Sequence, residues 1–224
     1  AKLLEKNNDK DNDFLIDLVL VILDGSSRDL GTSFQLIENI IIPNLGPDKS
    51  RLLVAINQAD VAMKGRNWNH AKNEPEPVLI DFLNEKCEST KKRIKEATGV
   101  DVDPIYYTAG YKDGEDSQKP YNLSKLFLHI LRHTKMEKRA VFAQDMNKDK
   151  EMWKKDDKIE DYEKEIKKTL ADSLESGIKG AIAGAKAGAD IGGSIGKKVG
   201  METVGKVVGG VIGAVGGFIG GLFS

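Results

Sequence analysis

The segment "RLLVAINQAD", residues 51–60, carries an apolar run from Leu52 to Ile56 directly into Asn57, Gln58 and Asp60. A short, continuous aliphatic run predicts a strand buried on both faces. Two amides and a carboxylate at its carboxyl end mark a point where polar side chains leave the buried sheet together.

The same pattern recurs on either side. "DLVLVILD", residues 17–24, is a second apolar run, closed by Asp24 and then Gly25-Ser26-Ser27, and it predicts a central strand. In "SFQLIENIIIPNLG" Phe34, Ile37 and Ile41 recur at helical spacing, with Thr32 or Ser33 to cap the start and Pro43 with Gly46 to end the helix. Beyond residue 60 a polar loop through Trp68 and His70 leads to an amphipathic helix from about Glu76 to Thr98, ended by Gly99. "VDPIYYTAG" supplies a third strand and "YNLSKLFLHILRHT" a third helix, with "YKDGEDSQKP" as the loop between them. Three strand–helix units in a row predict an α/β fold: a parallel sheet with helices on both faces.

Ligands of such sheets sit beyond the carboxyl ends of the strands, where Asn57, Gln58 and Asp60 fall. An aspartate there can accept from the N1–H and the exocyclic amine of guanine, and an asparagine can serve the O6/N7 side and tie loops together. Adenine offers no such donor pair. The same residues also suit capping of the next turn, and their spacing alone leaves both readings open. "TAG", Thr108-Ala109-Gly110, again follows a strand, and its small residues let a backbone N–H approach a base edge.

With two such loops in order, residues 14–135 resemble the Era-like branch of P-loop GTPases. "DLVLVILDGSSRDLGT" resembles the strand and acidic turn after switch II, "NQAD" the Asn-Lys-x-Asp guanine motif, and "TAG" the Ser-Ala-Lys motif. "INQADVAMKGRNW" and "PYNLSKL", followed by a glycine-rich tail, resemble more narrowly the bacterial GTPases of the fifty-S-binding, prophage type. The resemblance implies GTP or GDP as ligand, with Asn57 and Asp60 holding guanine and the Ala109 N–H donating to O6. It also implies a bacterial cytoplasmic protein, and a ribosomal partner. Gln58 and Gly110 stand where the family pattern has lysines, which removes two charges and implies weaker affinity with the specificity of Asp60 retained.

A phosphate-cradling GxxxxGK[ST] is missing from this sequence. "GPDKS" at 46–50 lacks the spacing, and "GGSIGKKV" has Lys198 where the hydroxyl belongs. By the resemblance, the first three nucleotide motifs lie upstream of Ala1. The expectation is the C-terminal part of a GTPase domain, truncated before its phosphate and Mg2+ groups, with hydrolysis dependent on them.

A formal charge of −1 argues against a nucleic-acid binder with a strongly basic surface. The single cysteine, Cys87, excludes a disulfide framework and fits a reducing compartment; within a charged helical segment it reads as a half-buried small side chain. His129 and His133 have the i, i+4 spacing of a metal pair but no accompanying HExxH carboxylate, and read as a partly exposed helix face. Ser26, Ser27 and Arg28 suit either a ligand or turn capping.

Glycine divides the chain: 16 of its 23 glycines lie in residues 177–224. The expected organisation is a GTPase part at 1–138, a charged helical linker at 139–176 and a glycine-zipper hairpin at 177–224. In the hairpin glycine recurs every fourth residue, at 180 through 200 and again at 205 through 221. That period gives each arm a groove for close backbone packing, and such helices need a tertiary partner or a membrane. Residues 207–223 carry no charge and are flanked by Lys197, Lys198 and Lys206, so insertion in or association with a membrane, including the bacterial inner membrane, packing on the GTPase part or on another copy, and disorder are all open. The rival to the GTPase reading is a non-enzymatic membrane or interaction protein acting through this tail.

Overall fold

Leu52–Asn57 form β2, and β2 is buried from its first residue to Ile56. In this computed structural model, residues 3, 4, 6, 14–110, 118–139, 142, 146, 147 and 149–173 are described. The stretches expected to form the glycine-zipper hairpin, 177–224, and most of the loop before the third helix, 111–117, therefore lie outside the described residues. β2 pairs in parallel with β1, Val19–Asp24, and with β5, Ile105–Tyr106, giving the order β1-β2-β5. A two-stranded antiparallel ribbon, β3 (Trp68–Asn69) with β4 (Glu74–Pro75), lies in the connection after β2.

Alternation along β2 assigns the two faces. Leu52, Val54 and Ile56 join a core with Phe34, Ile37 and Leu45 from α1 (Gly31–Leu36) and its continuation, and with Leu79, Leu83 and Ile94 from α3 (Pro77–Thr98). Ala55 faces the other way, into a cluster with Ile105, Tyr107 and residues Leu123 and Leu126 of α4 (Leu123–His133). Helices thus cover both faces of a parallel sheet, as the alternating pattern predicts.

β1 departs from its expected central position. Among the described residues it is the edge strand, and Ile22 is 54% exposed. Val19, Val21 and Leu23 pack on the α1/α3 face and Leu20 on the α4 face, so the apolar run reflects two apolar faces, with Ile22 left exposed on the second.

The first helix differs from expectation at its start and in its middle. Neither Thr32 nor Ser33 caps it; the Asp29 carboxylate accepts from Gly31 N at 2.8 Å instead. The helix ends where expected, at Asn44 just after Pro43, with Gly46 following at φ +71°. A π-helical turn, Ile37–Ile41, precedes α2 (Ile42–Asn44), and the Ile42 N–H donates to Ile37 O. The wider turn accommodates a residue that has no N–H to give, as insertions at proline commonly do. α3 follows the expected bounds closely, with Pro77 at its start and Gly99 at its end, where a φ of +73° lets Gly99 N donate to Lys95 O.

Two units are distinguished, one within Ala1–His133 and Glu151–Asp157, the other within Thr134–Lys150 and Lys158–Ser224. Within the stretch read as a linker, residues 151–157 therefore belong to the first unit. Trp153 is buried there, its ring 5.8 Å from Phe127 and its carbonyl accepting from Ser124 Oγ at 2.8 Å. In the second unit residues 162–173 are helical, with Tyr162, Ile166 and Leu170 buried at four-residue spacing. Among the described residues no helix is long and apolar enough to cross a membrane.

Candidate functional site

The carboxyl ends of β2 and β5 are joined by the polar residues that follow them. Asn57 is the last residue of β2, and its Oδ1 accepts from Gln58 N at 2.8 Å and from Ala109 N at 3.2 Å. Asp60 is buried, and its Oδ1 accepts from Thr108 Oγ1 at 2.6 Å. Thr108 Oγ1 in turn accepts from Gly110 N at 3.1 Å. One backbone bond, Ala59 N to Tyr107 O at 3.2 Å, completes the link. All six residues singled out in the sequence thus lie in one cluster drawn from two loops.

Capping accounts for only part of this. Asn57 does hold the amide of the next residue, but the turn at Val61 and Ala62 closes on the Gln58 carbonyl. Asp60 reaches across to the other loop rather than along its own. Its second carboxylate oxygen makes no hydrogen bond among the described residues. The Ala109 N–H, expected to serve a base, donates here to Asn57.

Two glycines fix how closely the backbones approach. Gly25 N donates to Asn57 O at 2.7 Å, and a Cβ on Gly25 would stand 2.4 Å from that oxygen. Gly110 has φ +67°, and a Cβ there would stand 2.0 Å from the Lys119 carbonyl oxygen. Thr108 and Tyr121 exchange both backbone hydrogen bonds, at 3.1 and 3.0 Å, and the Asn73 side chain donates to the carbonyls of Lys119 and Pro120. The "TAG" loop is therefore clamped from behind by residues 118–121. Gly110 is demanded by that clamp, so a lysine could not occupy this backbone unchanged.

Gln58 is exposed, with φ +61°, and its Oε1 lies 3.5 Å from Ser26 Oγ. Ser26 and Ser27 are turn residues: Ser26 donates twice to Asp24, and Ser27 donates to Asp29 O. The Ser26 hydroxyl holds the Asp24 carboxyl below its ordinary range, against the opposing effect of partial burial. Lys86 of α3 crosses to this turn and donates to the carbonyls of Gly25 and Ser27 at 2.6 and 2.7 Å. Burial lowers its ammonium pKa, partly offset by Asp24. Gly25 and Lys86 escaped the sequence reading. A glycine in a turn and a lysine on a charged helix give no signal of long-range contact.

The remaining candidates lie elsewhere. Cys87 is buried in the α3 face and its thiol is pushed up to about 12 by burial, so it stays protonated and inert. His129 and His133 lie with ring centroids 4.6 Å apart, and His133 Nδ1 is 2.9 Å from His129 O. Among the described residues no cluster of His, Cys, Asp and Glu is placed to hold a metal ion. Comparison with protein-family models, with curated proteins and with solved structures finds no match.

Proposed function

We propose that this chain carries the guanine-reading half of an Era-like GTPase switch, binding GTP and GDP through Asn57, Asp60 and Ala109. The observation that supports the reading most is the cross-tie of Asp60 to Thr108 and of Asn57 to Ala109. It holds a carboxylate with one unused oxygen beside a backbone N–H, at the carboxyl edge of a parallel sheet, where ligands of α/β sheets bind. A carboxylate braced by a hydroxyl is preorganised to accept the paired N1–H and 2-amino donors of guanine. Because Asn57 already accepts from Ala109, O6 must share that N–H or displace the Asn57 amide.

These residues account for base recognition. A phosphate cradle and Mg2+ ligands are not among them, so hydrolysis is not assigned to them and Mg2+ belongs to the proposal only with the missing motifs. β1 has no outer neighbour among the described residues, and its exposed Ile22 favours a further strand and helix beside it. Without phosphate contacts, affinity for GDP should be weak, with a Kd on the order of 0.1–1 mM.

Calorimetry of GDP and ATP against concentrated protein tests the reading. Saturable GDP binding that ATP does not displace, with Asp60→Asn shifting preference from guanine to xanthine nucleotides, is the expected result. Equal binding of GDP and ATP, or no binding of either, would sink it.

A further inference from the structure

A second concavity lies on the α1/α3 side of the sheet. This cavity of about 700 Å³ is bordered by the turn after β1, the 3₁₀ turn Ala62–Gly65 and the face of α3. Its size falls within the range of small-molecule sites. Leu30, Phe34, Met63 and Phe82 give it an apolar lining. Four cations, Arg28, Lys64, Arg66 and Arg93, come to it from three separate parts of the chain, against Glu85 as the one carboxylate among the described lining residues. None of the four has an ion-pair partner among the described residues. Lys86, a fifth cation of the lining, is already committed to backbone carbonyls.

Two details suggest that this arrangement is held for a purpose. The Arg93 guanidinium lies 4.1 Å from the centre of the Phe34 ring, which fixes its plane while leaving its N–H fork available. Met63 and Lys64, consecutive non-glycine residues, both adopt left-handed backbone, with φ of +51° and +61°. Such strain is characteristic of ligand clamps, and here it sits in the turn that carries two of the lining side chains.

We propose that this cavity is a binding site for an amphipathic phosphate: a small molecule whose aromatic or aliphatic body lies on the half-buried Leu30, Met63 and Phe82 while its phosphate is held by Lys64, Arg66 and Arg93. The phosphate supplies the charge that four unpaired cations lack, and the body covers side chains that water leaves unsatisfied. This inference does not rest on the guanine reading.

The test is calorimetry on the whole chain with 1-naphthyl phosphate, compared with 1-naphthol and with inorganic phosphate. One saturable site for naphthyl phosphate is expected, at least tenfold tighter than for either half alone. Lys64→Gly and Arg66→Ser should each weaken it by about tenfold. Glycine suits the backbone at position 64, so an unchanged or raised melting temperature for Lys64→Gly would show that the loss is not unfolding. The proposal is overturned if naphthyl phosphate does not saturate, if the Lys64→Gly/Arg66→Ser double variant binds it as well as the parent, or if a hexaglutamate peptide binds more tightly to the same residues.

Discussion

Thr108 Oγ1 donates to Asp60 Oδ1 at 2.6 Å, between residues 48 positions apart, and both side chains are buried. The bond joins the ends of two strands and sets where the carboxylate points.

Thr108→Val should therefore do more than remove a methyl-sized contact. Valine keeps the shape but leaves a buried carboxylate without its donor and Gly110 N without its acceptor, a cost of about 1–3 kcal/mol. Denaturant unfolding should show that loss, and GDP binding should weaken with it. Thr108→Ser retains the hydroxyl and should recover most of both. Equal stability of the valine and serine variants would show that the bond contributes nothing.

Gly110→Lys should not be tolerated. The added Cβ meets a backbone carbonyl at 2.0 Å, and φ +67° is costly for a side chain, so residues 118–120 must move. A destabilisation of at least about 2 kcal/mol is expected, with Gly110→Ala nearly as severe. Thermal melting of both variants decides this; a lysine variant as stable as the parent with higher GDP affinity would show that the clamp yields easily.

How far these relationships were legible in the sequence depends on the range of the force concerned. Leu52–Ile56 announces burial on both faces because local composition reports it, and Asn57, Asp60 and Thr108 stand out because they follow apolar runs, while the hydrogen bond between Asp60 and Thr108 leaves no mark in the sequence. β1 has the sequence of a central strand because two apolar faces look the same whether or not a strand lies alongside. Pro43 and Gly46 mark the end of the first helix, but the π turn before the proline leaves no mark in residue spacing. The convergence of Arg28, Lys64, Arg66 and Arg93 was invisible, since each looks like an ordinary solvated charge until α3 brings the segments together. Trp153 was placed on a linker because its partner, Phe127, is too far along the chain for periodicity to connect them.

Stability should fall on acidification through His129. Burial, and then the neighbouring His133, lower its pKa from 6.5 to about 4, and its Nε2 is buried without a hydrogen-bond partner. Between these values the unfolded chain takes up a proton that the folded chain refuses. The contribution is thus fully present above pH 6.5 and lost as pH falls toward 4. The slope cannot exceed about 1.4 kcal/mol per pH unit, and partial exposure of the ring reduces the total to about 1–2 kcal/mol. Denaturant unfolding of His129→Leu at pH 7 and pH 5 should show that part of the pH dependence removed; an unchanged dependence would assign it to other groups.

Asp157 tests whether residues 151–157 are part of the first unit in energy as well as in position. Its carboxylate is 2.6 Å from Lys125 Nζ and nearly fully buried, and its N–H donates to Asn122 Oδ1 at 2.9 Å. Asn122 is fully buried with φ +62°; its own N–H donates to Lys155 O and its side-chain amide to Tyr106 O. One asparagine therefore binds the returning segment to the end of β5. Asp157→Ala leaves Lys125 unpaired and should cost about 2–3 kcal/mol, toward the low end for a broken buried pair because Lys125 keeps some solvent. A chain ended after Lys138 also loses Trp153, and should be less stable than one ended after Asp157 by about 3–5 kcal/mol. The effect should extend beyond stability. Asn122 adjoins Tyr121, whose backbone clamps Thr108, so loosening the segment slackens the brace on Asp60. The shorter chain should then bind GDP more weakly than the longer one even under conditions where both are folded. If the two are equally stable and bind GDP alike, the segment rests on the domain without supporting it.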